Sequence, residues 1–413
     1  MTQEPVIVIG AGVIGISIAL ELQRKGNSVR VLDRKGVAAE ASAGNAGAFA
    51  FAEIEPLAKP GIMRRAPKWL LDPLGPLSIP PAYALKIAPW MLRFWQASSL
   101  DRYEQSVGNQ AALMEHSRAA LDRQIAYVDG EAMMQRDGQM QLYESDAEFR
   151  DSLPSWELRR RNGVAFDLLE SPEAIAEIQP GLSPRFTHAG YTPGWMNTTD
   201  PKRWVQHLAQ VFEGLGGTIE RQDVRALEVT GERLRVVSRD GSTECSQVIV
   251  AAGAWSHQLA TTVGDNIPLE TERGYNTTLP EGAFDLRTHL TFPAHGFVAS
   301  RINGGVRIGG AVELGGLKLP PNYKRADVLL QMASQFLPGL NTDGGTQWMG
   351  FRPSLPDSLP VIGRSSKSAG LVYAFGHGHL GLTQSAGTAE LISAIVEGQT
   401  PAIPLDPFSA NRF

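Results

Sequence analysis

Val6–Ile9 is apolar at every position, the pattern of a parallel strand buried on both faces. Ile14, Ile18 and Leu22 then recur at helical spacing. Gly26 and Asn27 end that helix, and Val29–Leu32 reads as the next strand, so the segment is one βαβ unit. Farther on, mixed polar and apolar positions predict helices over Asp101–Val128, Ala147–Asn162 and Lys202–Gly214. Val248–Trp255 reads as a buried strand entering a small-residue turn. Thr288–Leu314 alternates and turns often, as antiparallel strands do. Eight prolines between Pro56 and Pro89 argue against long regular elements there. No internal repeat or low-complexity tail interrupts the chain.

Composition narrows the function classes. With 43% hydrophobic and 20% charged residues, the 413-residue chain is globular and long enough for two domains or one composite one. A net charge of -5 gives no electrostatic reason for a nucleic-acid partner. The one cysteine, Cys245, excludes an internal disulfide, a cysteine-ligated iron–sulfur cluster and a zinc knuckle. It reads as a packing residue on a strand. The apolar run Val6–Leu22 holds three glycines and Glu21, unlike a signal peptide, and no stretch is apolar enough to span a bilayer. A cytoplasmic location is therefore expected.

Gly10-x-Gly12-x-x-Gly15 sits between the first strand and its helix, and Asp33 ends the next strand, eighteen residues beyond Gly15. Gly10 permits a tight turn, Gly12 lets a pyrophosphate approach the backbone amides, and Gly15 lets helix and strand pack closely. Asp33 is placed to accept from both hydroxyls of an adenosine ribose and would repel a 2′-phosphate. The motif leaves FAD and NAD open. Ser42, Asn45, Ala46 and Gly47 form a small-residue loop able to lie flat against a large ring. Near the other end, GHGHLGLTQSAGTAELISAI (Gly376–Ile395) puts glycines in front of a second helix. His377 and His379 lie among glycines with no acidic or cysteine cluster, so no metal is expected.

Together, GAGVIGISIALEL, EASAGNAG, VIVAAGAWS, GFRPSLPDSLPVIG and GHGHLGLTQSAG resemble, in order and over essentially the whole chain, the D-amino-acid oxidase/dehydrogenase (DAO) family of flavoproteins. The resemblance implies an α/β composite: a Rossmann-like FAD-binding domain from 1–75, 190–265 and 345–413, and a discontinuous antiparallel-sheet substrate domain from 76–189 and 266–344. It implies non-covalent FAD, held by Gly10, Gly12, Val13, Ile14, Gly15, Asp33, Arg34, Ser42, Asn45, Ala46 and Gly47. Val224, Ala252 and Gly253 would add contacts in mid-chain. Gly378, His379, Leu380, Gly381, Leu382 and Thr383 would lie beside the flavin.

On the substrate side, the resemblance places Arg352 as the clamp on a substrate α-carboxylate. Tyr275 is a second candidate, as a donor to that carboxylate, as pocket wall, or as a core tyrosine with its hydroxyl satisfied. Arg273 and His295 are weaker candidates with structural alternatives. The implied reaction is oxidation of a D-amino or cyclic D-imino acid to the imine by hydride transfer from Cα to flavin N5. ERGYNTTLP, RIGGAVELGGLKLPPNYKRADVL and GGTQWMGFRPSLPDSLPVIG are most similar to bacterial D-proline and cis-4-hydroxy-D-proline dehydrogenases. The alternatives are a glycine or sarcosine-type oxidase, a broad D-amino-acid dehydrogenase and a non-catalytic FAD-binding protein. Electrons would leave to a quinone, a carrier protein or oxygen. Trp90, Phe94 and Trp95 could face a membrane or quinone, the inner membrane being the alternative location; helical spacing beside prolines favours core packing for them.

Overall fold

The computed structural model describes residues 4–62, 75 and 77–413. Part of the proline-rich stretch, 63–74 and 76, therefore lies outside the described residues. Val6–Ile9 pairs in parallel with Val29–Asp33 on one side and Val248–Val250 on the other. The sheet runs Thr218–Arg221, Val29–Asp33, Val6–Ile9, Val248–Val250, Leu371–Phe375 and Val361–Arg364, the last strand antiparallel. Alternation along a strand separates its two faces. Val6 and Val8 join the core beneath the helices, whereas Ile7 and Ile9 pack toward the three-stranded antiparallel sheet of Val224–Thr230, Arg233–Ser238 and Gly241–Cys245.

The helical layer comprises Val13–Arg24, Leu100–Tyr127, Pro201–Gly214 and Gly381–Val396. Local chemistry sets the start of Pro201–Gly214: Asp200 accepts from the Lys202 and Arg203 N–H groups, and proline occupies the first turn. A larger mixed sheet follows the order Thr346–Ser354, Glu270–Thr278, Gly305–Glu313, Phe297–Ile302, His289–Phe292, Gln139–Tyr143, His188–Thr192 and Asp167–Leu169. Helix Lys324–Phe336 packs on it through Leu329, Ala333 and Phe336.

The expected helices form as Leu100–Tyr127, Asp146–Arg161 and Pro201–Gly214. Thr288–Leu314 forms three successive strands, antiparallel as expected. Cys245 is a buried strand residue, and burial pushes its thiol up to about 11.

Three expectations fail. A helix, Ala84–Ala97, runs through Pro89 at the end of the proline-rich stretch, anchored by Ile87 and Trp90 against Leu314. Trp90 stacks on Phe94 with ring centroids 5.2 Å apart, but Trp95 is 57% exposed and is not core. The division of segments also differs: Thr346–Ser354 pairs in the larger sheet, and Leu100–Tyr127 packs against the terminal helix Gly381–Val396.

Candidate active site

The glycine turn is built by close approach. Gly10 has φ +114°, and a Cβ there would sit 2.4 Å from the Ala251 oxygen; one on Gly15 would sit 1.9 Å from the Gly10 oxygen. Gly12 begins the helix without a side-chain cap. The Val13 N–H donates to Ser42 Oγ at 3.0 Å. The N–H groups of Gly12 and Ile14 have no partner among the described residues, as expected of a helix start. Asp33 accepts from the N–H groups of Ala11 at 2.9 Å, Lys35 at 2.7 Å and Gly36 at 2.8 Å. Of a carboxylate's roughly four lone-pair sites, about one remains for a ligand. Asp33 is thus a clasp on the glycine turn as well as a lining residue of the cavity.

The second glycine loop mirrors this arrangement. Gly376 and Gly378 have φ +86° and +55°. The Gly378 N–H donates to the Pro353 oxygen at 2.7 Å, tying the loop to the strand that carries Arg352. Leu380 begins the terminal helix with no side-chain cap. Its first-turn N–H groups, at Gly381, Leu382 and Thr383, have no partner among the described residues. The strands leading into the two helices, Val6–Ile9 and Leu371–Phe375, are separated in the sheet by Val248–Val250 alone. Two positive helix ends therefore meet one cavity.

That cavity measures about 950 Å³. It is lined by Gly10, Gly12, Val13, Ile14, Asp33, Arg34, Ser42, Asn45, Ala46, Val224, Ala252, Gly253, Gly378, His379, Leu380, Gly381 and Leu382, together with Arg352 and Tyr275. Gly15, Gly47 and Thr383 do not line it. Gly15 sets the helix–strand approach, and Gly47 turns at φ +72°. The Thr383 hydroxyl is buried, accepting from the Ala50 N–H at 2.9 Å. The loop Ser42–Gly47 is fastened from outside: Asn276 Nδ2 donates to the Gly44 oxygen at 2.7 Å and Arg307 Nη1 to the Asn45 oxygen at 2.5 Å. Burial pulls Arg307 down to about 10, against Asp200, which raises it. The Arg34 guanidinium lies 3.7 Å from the Trp255 ring centroid and donates to Glu40.

Strand register decides the other wall. Glu272 faces Arg352, Gly274 faces Gly350, and Asn276 faces Trp348 across the paired strands. Directly opposed residues share a face. The Arg352 guanidinium crosses over Gly274, where a Cβ would lie 2.4 Å from Nη2. Arg352 Nη1 donates to the Ala311 oxygen at 3.2 Å; the other guanidinium donors have no partner among the described residues. Burial holds its pKa below the ordinary value, with Glu272 opposing. His379 opens onto the cavity yet is walled by protein, which lowers its pKa; Glu272 opposes this and Arg352 adds to it.

Tyr275 falls on the opposite face of its strand from Arg352. Its hydroxyl donates to Glu313 Oε2 at 2.5 Å and accepts from the Asn322 N–H at 3.0 Å, so it is no carboxylate donor for a ligand. Arg273, fully buried, donates to the carbonyls of Gly316, Leu319 and Pro320 and pairs with Glu313. His295 pairs with Glu144. Both are structural. Glu272 was not singled out in the sequence, although alternation along ETERGYNTT puts it on one face with Gly274 and Asn276. Among the described residues no group of three or more His, Cys, Asp or Glu could hold a metal.

Residues 5–395 match the DAO family of FAD dependent oxidoreductases. The chain belongs to that family. FAD is its cofactor, and this DAO protein carries what that molecule requires: two uncapped helix ends, a loop without bulky side chains and a cavity joining them. The chain is 36% identical to a D-amino-acid oxidase of Bradyrhizobium diazoefficiens, covering 99% of this chain and 98% of that protein. It is 30% identical to a D-amino acid dehydrogenase of Rhizobium rhizogenes, covering 99% of each. Among solved structures, glycine oxidase from Geobacillus kaustophilus shares the fold with a TM-score of 0.79 at 20% identity, over 100% of both chains. L-proline dehydrogenase from P. horikoshii shares it with a TM-score of 0.76 at 18% identity, over 100% of this chain and 98% of that one. Among the described residues no helix is long and apolar enough to cross a membrane.

Proposed function

We propose that this DAO protein oxidises the Cα–N bond of a small D-amino or cyclic D-imino acid, with D-proline and cis-4-hydroxy-D-proline as the favoured substrates. The observation that carries the reading is the Arg352 guanidinium, held over Gly274 with free donors in the cavity. A planar two-pronged cation of this kind matches a carboxylate. The relatives named for D-amino acids supply the stereochemical class, and the three stretches similar to D-proline dehydrogenases supply the ring.

The uncapped amides of Gly12 and Ile14 would receive the pyrophosphate of FAD, and the amides of Gly381 and Leu382 the electron-rich edge of its ring. FAD, when bound without a covalent link, supplies an acceptor for the electron pair and hydrogen leaving Cα. Arg352 fixes the substrate carboxylate and so the direction of the Cα–H bond. Trp348, packed over Gly44 and Gly350, closes the same wall with an apolar surface and keeps water from it.

The test is the visible spectrum of the purified holoprotein under anaerobic conditions. Adding D-proline or cis-4-hydroxy-D-proline is expected to bleach the flavin bands faster than D-alanine or sarcosine. Bands unchanged by all four would overturn the reading, and bleaching by sarcosine alone would transfer it to an N-methyl-glycine oxidase. Oxygen uptake during turnover separates oxygen from a quinone or carrier protein as acceptor.

A further inference from the structure

Glu272 stands apart among the acidic side chains lining the cavity. It is 4% exposed, and its carboxylate has no hydrogen-bond or ion-pair partner among the described residues. Asp33 and Glu40, by contrast, are each tied to neighbouring donors. A buried, bare carboxylate is costly unless something cationic comes to it. Arg352 is opposite it in register, yet no ion pair within 4 Å joins the two. One wall therefore presents a cation and an anion side by side, each with unused hydrogen-bonding capacity. An α-amino acid carries the complementary pair, a carboxylate and an ammonium joined through one carbon.

We propose that Glu272 receives the amino nitrogen of the substrate and takes its proton. The inference rests on the amino-acid oxidation reading above. The substrate ammonium donates to the Glu272 carboxylate while Arg352 holds the substrate carboxylate. One N–H bond breaks and one O–H bond forms on Glu272; no electron changes hands in this step. The nitrogen is left neutral, with the lone pair that supports departure of hydride from Cα.

A second feature lies behind the same side chain. A chamber of about 20 Å³ is lined by Glu272 with Trp90, Gln110 and Ser354. Trp90 Nε1, Gln110 Nε2 and Ser354 Oγ are buried and have no hydrogen-bond partner among the described residues. The chamber has room for one water with several polar partners, a stepping stone for the proton. The titratable groups around Glu272 are Arg352 on the adjoining strand, His377 and His379 before the terminal helix, and Glu55 across the chamber. Glu53 lies farther round the cavity.

The experiment compares wild type, Glu272→Gln and Glu272→Asp as FAD-loaded proteins. Glu272→Gln is expected to lower kcat/KM for the best D-amino acid by about 100-fold, the lower range for loss of a proton-transfer group. The rise of kcat/KM with pH should also move upward, toward the ordinary pKa of the free amine. Glu272→Asp should recover much of the rate and the wild-type pH profile. Cyclopentanecarboxylate, a ring acid with no nitrogen, should perturb the flavin spectrum of Glu272→Gln at the same or lower concentration than wild type. A wild-type pH profile in Glu272→Gln, or equal loss of affinity for D-proline and cyclopentanecarboxylate, overturns the proposal. If Glu272→Gln fails to hold FAD, Glu272→Asp is judged alone: an unshifted profile with an unchanged rate overturns it. If wild type oxidises no D-amino acid, the functional reading fails by itself. Glu272 is then judged by whether binding of D-proline relative to the nitrogen-free acid depends on it.

Discussion

The Tyr275 hydroxyl donates to Glu313 Oε2 at 2.5 Å, on the strand face opposite Arg352. That bond belongs to a buried group in which Arg273 also pairs with Glu313. Tyr275→Phe is expected to cost about 1–3 kcal/mol of stability, because it leaves a buried carboxylate acceptor short of a partner. Turnover should stay within about threefold of wild type, well under the tenfold that 1.36 kcal/mol represents. Urea unfolding and steady-state kinetics read the two effects; a large loss of kcat with unchanged stability would return Tyr275 to the active site.

Arg352→Leu should act the other way. Its free donors face the cavity, so removal should lower kcat/KM on a D-amino acid by on the order of 100-fold or more, the scale of a lost charged hydrogen-bonded partner. FAD content should remain at the wild-type level. Arg352→Lys restores the charge without the fork and should recover only part of the loss. Activity in Arg352→Leu equal to wild type would remove the carboxylate clamp.

Gly15→Ala tests the cofactor turn without touching a lining side chain. The new methyl would lie 1.9 Å from the Gly10 oxygen, so helix and strand must separate. The expected result is protein purified with little FAD and lowered thermal stability, read from the ratio of flavin to protein absorbance. Normal FAD content would show that the turn can yield.

Burial holds His377 and His289 down to about 3. Each stays neutral in the folded chain while the unfolded chain takes up a proton below about 6.5. Their neutral forms therefore leave stability intact above pH 6.5, and stability falls as pH drops from about 6.5 toward 3, by about 1.4 kcal/mol per pH unit for each histidine. His377 also sits 3.0 Å from Thr388 Oγ1, a contact glutamine can reproduce. His377→Gln should flatten the pH dependence of urea unfolding between pH 6 and 4. An unchanged slope would mean that His377 is protonated in the folded protein.

The N-terminal unit was legible because its signals agree: an apolar strand, glycines at fixed positions, a helical period and an acid at the next strand end. The cofactor side of the cavity followed from that unit and from the second glycine loop. Tyr275 stays open in the sequence between a pocket and a core role, because the face of Glu270–Thr278 that meets the cavity decides between them. That face is fixed by pairing with Gly305–Glu313 on one side and Thr346–Ser354 on the other, both distant in the chain. Glu272 is hidden in the sequence for the same reason, since a glutamate between Thr271 and Arg273 looks solvated until both neighbouring strands are in place. The helix through Pro89 was hidden because contacts with Leu314 outweigh the local cost of the proline.

The two glycine loops have a consequence for how this protein is made. One glycine loop of the cofactor cradle lies before residue 50 and the other after residue 375, with the rest of the lining between them. Between the two loops the ribosome adds more than three hundred residues to a chain whose Val6–Ile9 strand already has one neighbour, while the strand leading to the second helix end does not yet exist. FAD can lock the fold only once both are present. Stable capture of the cofactor is therefore expected only after the terminal helix Gly381–Val396 has been made, and a product cut short before that helix has a half-built pocket.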